Sequence, residues 1–123
     1  MKALLIVAHG SRRVASNDEI RHLTESLRNK ASGDFGIIQC AFLELASPSI
    51  PEGIDQCVQA GAEHIDVMPY FLSAGRHVAE DIPNEVAPKQ RQYPHCHIRI
   101  TPYLGEAEQI GDVILAQATM KIP

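Results

Sequence analysis

"LLIVAHGSRR", residues 4–13, sets a histidine, a glycine and a serine at the point where an apolar run ends. The five apolar residues Ala3 to Val7, closed by a Gly-Ser turn, have the pattern of a short strand buried on both faces, as the central strands of parallel sheets are. His9 follows at the carboxyl end of that strand. In open α/β sheets ligands bind in the crevice beyond the carboxyl ends of the strands, so an imidazole there is placed for chemistry as well as for packing.

Working outward, the chain alternates. "SNDEIRHLTESLRNKA" puts Ile20, Leu23, Leu27 and Ala31 on one helical stripe, with Ser16 and Glu19 spaced as a capping box and Gly33 as the stop. "GIIQCAFLEL" reads as a second strand. "SPSIPEGIDQCVQAGA" reads as a second helix, capped by Ser49, directing Ile50, Ile54, Cys57 and Val58 inward and stopped by Gly61. "HIDVMPYFL" is a third strand, and residues 73–82, "SAGRHVAEDI", a polar turn. Pro83 then suits the first position of a helix running toward Tyr93, which Pro88 shortens or kinks. "HCHIRITPY" is a fourth strand and "EAEQIGDVILAQATM" a closing helix with Ile110, Val113, Ile114 and Ala118 inward.

Four strands alternating with four helices imply an α/β fold: a four-stranded parallel sheet with right-handed crossovers and helices on both faces. The flavodoxin-like order 2-1-3-4 is expected. Its switch point lies between the first and third strands, so the loops carrying His9 and His77 face each other across the crevice. No linker, repeat or low-complexity stretch breaks the pattern, and residues 1–123 read as a single domain.

Composition excludes several classes. The net charge is −4, with no basic tract and few aromatics, which argues against nucleic-acid binding. No run approaches the roughly 20 apolar residues of a membrane helix, and the opening apolar block is too short for a secretion signal; a cytoplasmic protein with no membrane attachment is expected. Cys40, Cys57 and Cys96 are odd in number and never spaced C-x-x-C, so neither a disulfide framework nor a structural zinc site is indicated.

Three side chains leave successive strand ends: His9, Glu44 and His77. Two imidazoles and a carboxylate suit a divalent first-row metal such as iron, cobalt or nickel, and are also a set of proton acceptors. Nearby, Arg12, Arg13 and Arg76 have the geometry to pair with ligand carboxylates. Tyr70, Phe71 and Leu72 offer an apolar wall for a flat organic ligand. The remaining histidines read as structural. His95 and His97 share a strand face at its amino end, away from the crevice, and His22 and His64 have no partner near in sequence. A histidine phosphatase also sets His-Gly after its first strand, but with an Arg directly before the histidine, where this chain has Ala8.

"HGSR" with Asn17 downstream, "AFLELASPSI", "PYFLSAGRHVAEDIP" and the late "PYLG" together resemble the short form of the CbiX/SirB-type sirohydrochlorin chelatases of the class II chelatase family. The resemblance spans almost the whole chain. It implies insertion of a divalent metal, cobalt, ferrous iron or nickel, into sirohydrochlorin, with the metal as substrate and no organic cofactor. It places the catalytic histidines at His9 and His77, both also metal-binding, and the associated acid at Glu44. Macrocycle contacts are implied for Ser11, Arg12 and Arg13 in the first loop and for Phe71, Leu72, Ser73, Ala74, Gly75 and Arg76 in the third. After "PYLG" many members continue with His-Pro, where this chain has Glu106 and Ala107. A metal or tetrapyrrole carrier is the non-enzymatic alternative. Because one lobe offers only an open crevice, a homodimer closing the cleft near Phe71 and Leu72 is expected.

Overall fold

The computed structural model describes residues 1–31 and 33–120; the single-domain reading of 1–123 therefore includes a few residues outside that description. Four strands, β1 (Lys2–Ala8), β2 (Ile37–Phe42), β3 (His64–Pro69) and β4 (His97–Ile100), form one all-parallel sheet in the order β2-β1-β3-β4. The helices are α1 (Val14–Lys30), α2 (Ile50–Gln59), α3 (Ile82–Gln92) and α4 (Ile110–Ala118). The switch point falls between β1 and β3, as the alternation predicts.

The double burial of β1 follows from its place in the middle of the sheet. Ala3, Leu5 and Val7 pack with Ile65 and Val67 under α2 and α3, whose Ile50, Ile54, Cys57, Ile82 and Val86 complete the core. Fully burying each such aliphatic side chain contributes roughly 1.5–3 kcal/mol. On the opposite face α1 covers β2 and β1, where Leu27 shares a groove with Leu4 and Ile38 and the Arg21 guanidinium lies 5.2 Å from the Phe42 ring centre. Among the described residues, no helix is long and apolar enough to cross a membrane.

Four local expectations are corrected. α1 begins at Val14, before Ser16, so the Ser16–Glu19 capping box does not form. Its start is held instead by Asn17, whose side chain accepts from Ser11 N at 2.9 Å and donates to Ser11 O at 2.8 Å. Ala31, expected on the helical stripe, lies just past the helix and is exposed. Within residues 73–82, His77–Asp81 is not a loop but a π-helical turn running straight into α3. Pro83 gives the reason: it has no N–H to bond four residues back and its ring crowds that carbonyl, so the wider turn, in which Ile82 N donates to His77 O, relieves both problems. Lastly, of the α4 residues expected inward Ile110 is half-buried but the rest are not: Val113 and Ile114 are 54 and 60% exposed, Ala118 is exposed too, and their neighbour Leu115 is 64% exposed. The short 3-10 turn Leu104–Glu106 docks on the loop after β3, with Gly105 N donating to Phe71 O at 3.0 Å, and α4 packs chiefly against that turn rather than the sheet.

Candidate active site

His9 is the first residue beyond β1, and the backbone pairing of β1 with β2 continues past the strands to reach it. Leu43 N donates to Ala8 O at 2.9 Å and Glu44 N to His9 O at 3.0 Å. Gly10 makes this possible. It adopts φ +93°, and a Cβ there would overlap the Glu44 carbonyl oxygen, so any other residue is excluded twice over. The consequence is that the Glu44 carboxylate comes beside the imidazole, with Oε1 3.2 Å from His9 Nε2. His9 Nδ1 lies 2.9 Å from the Gly10 carbonyl.

From the other side of the switch point, the π-helical turn brings His77 over His9, with ring centres 4.7 Å apart and planes inclined by 58°. The Phe71 ring centre lies 6.3 Å from that of His77. His77, Glu44, Leu43, Asp81, Asn84 and Glu85 line a cavity of ≈ 330 Å³. A cavity of ≈ 380 Å³ lined by Arg28, Phe35 and residues 36–39 lies by the amino end of β2, remote from both histidines.

The structure thus brings His9, Glu44 and His77 together as the order of strands requires. Among the described residues, no three His, Cys, Asp or Glu side chains converge into a ready-made metal cage. The arrangement can offer nitrogen and oxygen ligands in passing and accept protons, while the remaining ligands to a metal must come from what binds there.

The surrounding residues divide. Arg12 and Arg13 are exposed at the start of α1. Ser11 is half-buried, its backbone clasped by Asn17 and its Oγ accepting from Arg13 N at 3.0 Å. Ser73, Ala74, Gly75 and Arg76 are exposed, and Arg76 Nε pairs with Glu80 Oε2 at 3.4 Å. Of the apolar wall, Phe71 is half-buried against the core while Leu72 is 70% exposed.

Two side chains escaped the sequence reading. Asp81 sits with Oδ2 2.7 Å from His77 Nδ1; the signal was the i, i+4 spacing inside "HVAED". His64 does have a near partner, Asp66, at 2.7 Å. Asp66 is 3% exposed and also accepts from Arg99 Nε at 2.7 Å. Burial alone would raise its carboxyl, but the bonds from Arg99 and His64 outweigh this and hold it below the usual carboxylate range.

An α/β lobe of flavodoxin-like order with paired imidazoles and a carboxylate at its switch point defines a class: a ligand-binding lobe equipped for metal and proton chemistry. Residues 3–120 match the CbiX family model, and the chain belongs to the CbiX family. It is 36% identical over 111 residues to the chloroplastic sirohydrochlorin ferrochelatase of Arabidopsis thaliana, covering 90% of this chain and 48% of that protein. The sirohydrochlorin chelatase SirB of Bacillus subtilis subspecies spizizenii, solved in complex with cobalt, superposes with TM-score 0.82 at 32% identity, over 95% of this chain and 49% of that one. A CbiX protein of Marinobacter aquaeolei shares the fold at TM-score 0.81 and 24% identity, covering 96% of this chain and 94% of that one. The chain spans about half the length of the curated relatives it matches first.

Proposed function

We propose that this chain is a sirohydrochlorin metal chelatase, inserting ferrous or cobaltous ion into the macrocycle on the way to siroheme or cobalamin. The convergence of His9, Glu44 and His77 at the β1/β3 switch point carries the reading. Relatives named as sirohydrochlorin ferrochelatases and cobaltochelatases support it.

Insertion requires a macrocycle to release its inner N–H protons as the ion sheds water and enters. His9 and His77 act as transient ligands to the incoming ion and as acceptors for those protons, and Glu44 relays protons from His9 Nε2, 3.2 Å away. A closed cage of thiolates would hold the metal against transfer, whereas an incomplete set of nitrogen and oxygen donors surrenders it to the four-nitrogen macrocycle. The metal is a substrate, and the chemistry calls for no organic cofactor. Arg12, Arg13 and Arg76 face a polycarboxylate ligand at the mouth, with Ser11 and the Phe71–Arg76 loop beneath it.

In this reading the chain is one lobe and acts as a homodimer. A single mouth is shallow, the exposed Leu72 lies beside it, and α4 presents Val113, Ile114 and Leu115 to solvent, an apolar surface that a second copy would cover. The three cysteines are free thiols, which fits the reducing cytoplasm.

The test is anaerobic incubation of the protein with sirohydrochlorin and Fe²⁺, Co²⁺ or Ni²⁺, following the macrocycle's visible spectrum. Insertion faster than the uncatalysed reaction is expected with at least one ion. Tight binding of either substrate without acceleration would make the protein a carrier. Sedimentation at micromolar concentration should show a dimer, and an active monomer would sink the shared cleft.

A further inference from the structure

His77 opens the π-helical turn and Asp81 closes it, and their i, i+4 spacing sets the side chains together with Nδ1 2.7 Å from Oδ2. An ionised carboxylate can only accept, so in the neutral imidazole Nδ1 must carry the proton and Nε2 must keep its lone pair. Asp81 makes no other ion pair among the described residues. Asp55 and Asp66, by contrast, are each committed to a lysine or arginine.

We propose that Asp81 is a positioning residue: it locks His77 in the Nδ1–H tautomer and fixes the ring so that the Nε2 lone pair is presented to the crevice. His9 differs: its Nδ1 lies 2.9 Å from the Gly10 carbonyl and its Nε2 3.2 Å from the Glu44 carboxylate, so it meets acceptors at both nitrogens, whereas His77 meets its carboxylate at Nδ1. The His9 and Phe71 ring centres lie 4.7 and 6.3 Å from that of His77, and the hydrogen bond to Asp81 settles the ring's rotation. The pair is i, i+4, the spacing at which side chains on one helical face meet, so the carboxylate is delivered by its place in the turn that leads into α3. The inference rests on the chelatase reading only for its catalytic consequence, since the tautomer can be measured without turnover.

The experiment uses ¹⁵N-labelled full-length protein and long-range ¹H–¹⁵N spectra, recorded at a pH where the imidazoles are neutral, for wild type, Asp81→Asn and Asp81→Ala. Asparagine keeps the shape of aspartate but can offer Nδ1 either its oxygen or its NH₂, so it removes the constraint without removing the side chain. Wild-type His77 should be in the Nδ1–H form, and both variants should shift toward Nε2–H with melting temperatures near wild type. In parallel, kcat for metal insertion and the affinity for Co²⁺ alone should fall roughly 10–100-fold in the Ala variant, the scale on which partners of metal-binding histidines act. An Nε2–H tautomer in wild type, or an unshifted tautomer in both variants, overturns the proposal. If the tautomer behaves as expected but wild type inserts no metal, the positioning role stands and the chelatase reading falls.

Discussion

The molecule contains two histidine pairs of almost equal spacing, His9–His77 with ring centres 4.7 Å apart and His64–His97 at 4.9 Å, at opposite ends of β3. Each has a carboxylate close by. At the amino end Asp66 is buried and satisfied by His64, by Arg99 and, at 3.7 Å, by Lys2. At the carboxyl end Glu44 and Asp81 are far more exposed, and among the described residues no lysine or arginine pairs with either. Closeness of imidazole and carboxylate therefore does not mark a functional site. What separates the two is the resident cation: the amino-end cluster already holds its positive charges, while among the described residues the carboxyl-end carboxylates pair with no lysine or arginine.

The sharpest test of that distinction is a matched set of alanine substitutions. His9→Ala and His77→Ala should each lower metal insertion by at least roughly 100-fold, since proton transfer by a positioned side chain contributes on that scale. Their melting temperatures should stay near wild type because both rings lie outside the core. His64→Ala and His97→Ala should leave the rate close to wild type, with His64→Ala losing some stability. A rate loss in His64→Ala equal to that in His9→Ala would erase the comparison.

Asp66→Asn attacks the other side. The native carboxyl lies below its unfolded value, so its contribution to stability is present above about pH 4 and disappears as pH falls through the native value. The Asn variant should be less stable by about 1–3 kcal/mol at pH 7, the range for a lost buried hydrogen-bonding partner. The gap to wild type should narrow as pH falls below about 4. Denaturant unfolding at pH 7 and pH 3 measures it, and insertion rates per folded molecule should be unchanged. A gap that persists undiminished at low pH would mean that packing, not charge, explains Asp66.

The same contrast explains what could be read from the sequence. Strand order, the Ser49 cap and the approach of His9 to His77 were legible because apolar runs, a serine just ahead of a helical stripe and a switch point are local or topological signals. The Ser49–Glu52 box forms in full, with both reciprocal hydrogen bonds. Asn17 reaching back to Ser11 was hidden because Ser16–Glu19 offered a competing cap one turn later. The exposure of α4 was hidden because its apolar residues promise burial without naming the surface that provides it. Asp66 was missed for a different reason. A lone acid in an apolar strand looks like noise until β4 brings Arg99 alongside it.

The smallest expected effect concerns Arg76, which sequence alone presents as a free carboxylate clamp and the structure shows paired with Glu80, both side chains well exposed. To hold the macrocycle, Arg76 must exchange one carboxylate partner for another, so little is gained. Arg76→Ala should raise KM for sirohydrochlorin by roughly two- to fivefold at low salt, the scale of an exposed ion pair. The change should vanish near 1 M salt, where the Debye length shrinks to about 3 Å, and kcat should not move. Glu80→Ala separates exchange from simple absence of a role, because it releases Arg76 and should lower KM at low salt by a similar factor. If both substitutions leave KM unchanged, Arg76 faces solvent in the complex and the contacts to the ligand's carboxylates fall to Arg12 and Arg13. A large fall in kcat in Arg76→Ala would instead bring the arginine into the reacting site, and the carboxyl-end cluster would no longer be the one without a cation of its own.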